Sequence, residues 1–70
     1  MPTIPEIENK FTYHAPKPGQ PERYKALRDD FKALAYRIMA ECPDSRERAL
    51  ALTHLENSNM WANAAIARHE

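Results

Sequence analysis

Apolar residues recur at helical intervals in two long stretches. In the first, which begins at Pro21 or Gln20 and runs to Cys42, they fall at Tyr24, Leu27, Phe31, Leu34, Ile38 and Cys42. Steps of three and four place them on one stripe of an α-helix, and Ala35 and Met39 widen it. Lys25, Asp29, Lys32 and Arg37 hold the opposite side, with Lys25 and Asp29 spaced for an i,i+4 ion pair. In the second stretch, 45–68, Ala51 or Leu52, Leu55, Asn59, Ala62 and Ile66 repeat that spacing. A further set there (Leu50, Thr53, Met60, Trp61, Ala64, Ala65 and Ala67) is also apolar or small. One partner helix covers one face only, so the second face predicts self-association.

Cys42-Pro43-Asp44 separates the stretches. Proline disfavours helix at the residue before it, and Asp44 is expected to cap the next helix in a box closed by Glu47. So short a connection makes the helices antiparallel neighbours. Upstream, 1–20 hold Pro2, Pro5, Pro16 and Pro18 and the sole glycine, Gly19. Thr3 to Lys10 suits about two helical turns with Thr3 as N-cap. An extended arm then carries Phe11, Tyr13 and His14, and aromatics so placed are expected to lie against something, the helices themselves in the simplest case. The expected fold is all-α and a single domain over 1–70: a proline-rich arm at 1–20, a first long helix at 21–42 and a second at 45–68.

Seventy residues bring the chain near the lower limit for folding alone, where a single core supplies about 3–5 kcal/mol. Cys42 is the only cysteine, which excludes an internal disulfide and a multi-cysteine zinc site and leaves oligomerisation as the staple. Ten basic residues balance ten acidic ones. That argues against a duplex-DNA binder while leaving room for local cations. No signal peptide or membrane-length apolar run is present, so a soluble protein is expected.

No Walker loop, zinc-protease motif or nucleophile elbow occurs, and His14, His54 and His69 are scattered. His54 and Glu47 share a face but are too few to hold a metal. No catalytic residue, metal or cofactor is therefore expected. What the chain offers is Tyr13 and His14 for stacking on bases, with Lys17, Arg23, Lys25, Arg28 and Arg68 for phosphates.

The stretches TYH followed by PERY, then CPDSRERA, and above all MWANAAIAR resemble the small phage anti-CBASS sponge proteins, a helical-hairpin family that sequesters cyclic oligonucleotides. The resemblance runs from about Lys10 to Glu70. It implies a homohexamer built as a trimer of dimers, acting in the cytoplasm of the infected bacterial host. Such proteins bind cyclic di- and trinucleotide messengers intact and so starve the CBASS effector; neither duplex nucleic acid nor membrane is a partner. It implies that Tyr13 and either Lys25 or Arg28 hold the dinucleotide, and His14, read above as a stacking group, is counted with them. Arg68, with Ala64 and Ala65, belongs to a separate trinucleotide pocket. The two-faced second helix also admits another function, a phage protein-interaction module with no nucleotide ligand.

Overall fold

The computed structural model describes residues 2–70, so Met1 of the expected arm lies outside it. Three α-helices and no strand are found among the described residues: α1 (Ile4–Phe11), α2 (Gln20–Glu41) and α3 (Arg46–His69). Thr3 begins α1, its Oγ1 accepting from the Glu6 amide at 3.2 Å, and Pro5 fills the first turn, where a missing N–H costs nothing.

The arm enters α2 through a tight turn over Lys17–Gln20. The Gln20 amide donates to the Lys17 carbonyl at 3.0 Å, and Gly19 takes φ 84° and ψ −17°. Proline third from last and glycine next are what a type II turn requires, because its third position needs positive φ. An added Cβ at Gly19 would meet open space, so a side chain there would be opposed by the backbone alone. The Gln20 side chain folds back, its Oε1 accepting from the Lys17 amide at 2.9 Å.

The second turn departs from the capping expected at Asp44. Ser45 is the N-cap of α3: its Oγ accepts from the Arg48 amide at 3.1 Å and donates to the Pro43 carbonyl at 3.0 Å. A hydroxyl serves both purposes, whereas a carboxylate only accepts. Asp44 instead pairs with Arg48 at 3.1 Å. Arg48 also reaches the Met39 and Cys42 carbonyls at 3.4 and 3.2 Å, which gives the C-terminal end of α2 the cation its dipole favours. Ser45→Ala is therefore expected to cost about 1 kcal/mol, or roughly 4–8 °C in Tm for a domain of this size. Asp44→Ala, which removes a pair whose carboxylate is almost wholly in solvent, should cost less. Thermal melts followed by circular dichroism compare the two.

The hairpin packs α2 against α3, and the whole measures 44 × 32 × 12 Å. Twelve ångströms is about one helix diameter, so the molecule is a single layer. That geometry dictates the burial. On α2 the half-buried line is Tyr24, Leu27, Phe31, Ala35 and Ile38, while Leu34, Met39 and Cys42, expected on the stripe, face outward. One neighbouring helix shields a narrow arc, and Leu34 lies about 100° round the helix from Ala35. On α3 the inner line is Leu52, Leu55, Asn59, Ala62 and Ile66, with Ile66 the one buried apolar residue among those described. Leu50, Met60, Trp61 and Ala65 are exposed. Phe11 and Tyr13 are 84% and 83% exposed, so they do not cover the helices of their own chain.

Candidate functional site

The arm returns beside the end of α3 because polar groups tie it there. Asn9 Nδ2 donates to the Arg68 carbonyl at 3.1 Å, and His14 Nε2 donates to the Asn9 carbonyl at 2.8 Å. Since a carbonyl only accepts, this bond places a proton on Nε2 of His14.

A second tie lies one turn away. Arg23 grips the Glu70 carboxylate with two hydrogen bonds of 2.7 Å each, the bidentate geometry in which guanidinium and carboxylate match best. Gln20, only 4% exposed, donates to Glu70 Oε1 at 3.4 Å, and Lys17 Nζ donates to the Glu70 main-chain oxygen. The hydrogen bond from Arg23 holds the Glu70 carboxyl below the usual glutamate range against opposing desolvation, with Gln20 and Lys17 assisting. Arg23 is raised in return, chiefly by the same bond.

A carboxyl whose folded pKa is depressed stabilises the fold above its unfolded pKa and loses that contribution as pH falls through the folded value. Glu70→Gln is therefore expected to lower Tm at neutral pH. The curves for the two proteins should converge once pH drops below the depressed Glu70 value. Asp29, lowered by its 2.7 Å bond from Lys25, should leave a smaller acid slope in both. Parallel Tm-against-pH curves would show that the clamp contributes nothing.

These ties frame a cleft of about 560 Å³ between the arm, α2 and α3, within the size range of small-molecule sites. The arm side supplies Lys10, Thr12, Tyr13 and His14; α2 supplies Tyr24 and Arg28; α3 supplies Asn63, Ala64, Ala67 and Arg68. Three cations from three helices thus face one space, and among the described residues no carboxylate lines it. A chain of zero net charge has concentrated positive charge locally, which a concave low-dielectric wall reinforces. Ala64 and Ala67, one helical turn apart, leave the α3 wall low enough to admit a planar group.

Tyr13, His14 and Arg28 are brought together in this cleft, joined by Ala64 and Arg68. Lys25 is not: it stands outside, paired with Asp29 at 2.7 Å. Ala65 borders a separate hollow of about 230 Å³ on the outer side of α3, with Trp61 and His69; Ala64 and Arg68 border both spaces. A third hollow of about 370 Å³ lies further along the hairpin among Phe31, Leu52, Leu55 and Asn59, with Arg28 on its rim.

Sequence reasoning passed over Lys10, Asn63, Gln20 and Glu70. Lys10 is the last-turn cation of α1, a position with a simpler electrostatic explanation. Asn63 carried a signal that could have been used, since it is a polar residue four after Asn59 on a face expected to be buried. Gln20 and Glu70 meet across fifty residues of chain, and no local pattern announces that.

Fold and site together define a small all-α binding protein built round a cation-lined cleft. The chain belongs to the Acb2/Tad1 hairpin-domain family, whose model matches residues 3–67. This is a family of phage anti-CBASS sponge proteins, which sequester cyclic oligonucleotides and are binding proteins rather than enzymes. No curated protein and no solved structure matches the chain. None of the described helices is long and apolar enough to cross a membrane.

Proposed function

We propose that this protein binds cyclic di- and trinucleotide messengers in the cytoplasm of the infected bacterium and holds them intact, so that the CBASS effector is not activated. The observation that carries this reading is the cleft itself: Tyr13 and His14 offer aromatic faces beside Lys10, Arg28 and Arg68, with no carboxylate among the described residues of its wall. Bases stack on such rings and phosphodiesters pair with such cations. Tyr13 and His14 stack the bases of a dinucleotide, and Arg28 rather than Lys25 contacts its phosphate. Arg68, with Ala64 and Ala65, serves a trinucleotide through the outer hollow.

The working form is a homohexamer, a trimer of dimers. A single layer with Met60 and Trp61 exposed and Ala65 beside them has an uncovered face suited to further copies. A cyclic dinucleotide can be twofold symmetric and a cyclic trinucleotide threefold symmetric. A trimer of dimers has both kinds of axis, so each ligand meets equivalent groups from each protomer. Three Arg68 side chains around a threefold axis repel one another until an anion arrives, so trinucleotide binding also stabilises the assembly.

The test is incubation with a cyclic dinucleotide or trinucleotide, heat denaturation, and chromatography of the supernatant. Intact ligand recovered after denaturation supports sequestration. Linear products would replace it with hydrolysis, and no retention of either class would favour the protein-interaction module. In that case Tyr13→Ala and Arg68→Ala would be silent, while a bulky charge at Ala62 or Ala65 would abolish activity.

A further inference from the structure

Two carboxamides stand one turn apart on the inner face of α3. The Oδ1 atoms of Asn59 and Asn63 are both buried and neither has a hydrogen-bond donor among the described residues. An orphaned buried acceptor costs free energy that an alanine or leucine there would avoid. The two residues differ in what they border. Asn59 adjoins the apolar hollow of Phe31, Leu52 and Leu55. Asn63 lines the cleft beside Tyr13, His14 and Arg28.

We propose that Asn63 reads the base of the bound nucleotide and selects adenine. This rests on the reading that the cleft takes a cyclic oligonucleotide. Aromatic stacking and cation–phosphate pairing hold any base equally well, because every base has a π-face and every phosphate the same charge. Among the described residues, Asn63 is the one carboxamide on the cleft wall. A carboxamide presents an acceptor beside a donor, and the N6/N7 edge of adenine presents a donor beside an acceptor, so both bonds form at once. The matching edge of guanine presents two acceptors, O6 and N7, and leaves Oδ1 still orphaned. The terminal torsion of an asparagine side chain is broad, and no donor holds Oδ1 in its present position. Turning toward a ligand amine therefore gains a bond and sacrifices none.

Isothermal titration with cyclic di-adenylate and cyclic di-guanylate tests this on the wild type, Asn63→Ala, Asn63→Ser and Asn59→Ala. The wild type should bind the adenylate tighter by about tenfold or more, the discrimination of one bidentate pair. Both Asn63 variants should lose that ratio by weakening the adenylate alone; the serine variant serves if the alanine one fails to fold. Asn59→Ala should keep the ratio. No adenine preference in the wild type, an unchanged ratio in the Asn63 variants, or equal loss in Asn59→Ala would each overturn the assignment. A wild type that binds neither ligand would overturn the reading that this cleft takes a cyclic dinucleotide, and this assignment with it. Binding of both with an unaltered ratio would sink this assignment alone.

Discussion

Arg28→Ala is expected to weaken binding of cyclic dinucleotides by roughly 10- to 100-fold, and Tyr13→Ala by a similar factor. Hydrogen bonds to charged groups contribute about 1.5–3 kcal/mol and stacking of a base on an aromatic ring about 1–3 kcal/mol. The double variant should lose measurable binding. Arg28 is poised for this because it reaches the cleft from α2 and is in no ion pair among the described residues. Its charge is thus available to a phosphate without first breaking a contact. Lys25→Ala should change affinity little, since Lys25 lies outside the cleft and is already paired with Asp29. Titration of the single and double variants checks all of this, with circular dichroism to confirm the fold. Rising salt should narrow the difference for Arg28→Ala and leave that for Tyr13→Ala largely in place, because only the first is electrostatic. A large loss from Lys25→Ala would mean that the phosphate is met by a cation from a neighbouring copy instead.

The helices and their antiparallel pairing were legible because they rest on local rules: three-and-four spacing, Pro43 between the helices, and proline and glycine before the first. Reading went astray wherever the outcome depended on how many neighbours a face has. Leu34 and Met39 satisfied the periodicity and yet face outward, since a single layer shields less of each helix than a bundle would. The cap moved from Asp44 to Ser45 because α3 starts at Arg46 and the residue just before it is the cap; aspartate and serine cap equally well, so residue type alone does not choose between neighbours. At the site, the residue types were legible and their grouping was not. Tyr13, Arg28 and Arg68 come from three segments, and what converges them is the pair of ties through Asn9 and Glu70, each spanning most of the chain. Lys25 and Arg28 were equivalent by composition. Only the rotation of α2 against α3 turns one of them into the cleft.

Ile66→Ala should bring the isolated chain to the edge of unfolding. Ile66 is 8% exposed and is the sole apolar residue so buried among those described. Truncating a buried isoleucine costs about 2–5 kcal/mol, while a core in a chain this short supplies about 3–5 kcal/mol in all. The variant should show a shallow melt near room temperature and reduced helical ellipticity. Ligand should rescue it, because a molecule that binds only the folded form at a hundred times its Kd adds about 2.7 kcal/mol. Trp61→Ala offers the contrast. Trp61 is 66% exposed in the single chain, so its removal should leave a dilute protomer nearly as stable as before. If Trp61 lies between copies, its loss will instead reduce the mass seen by light scattering and flatten the rise of Tm with protein concentration that an oligomer shows. The two substitutions thus separate what holds the layer together from what stacks one layer on another. An Ile66→Ala protein with unchanged Tm at every concentration would mean that the stability resides almost wholly between chains.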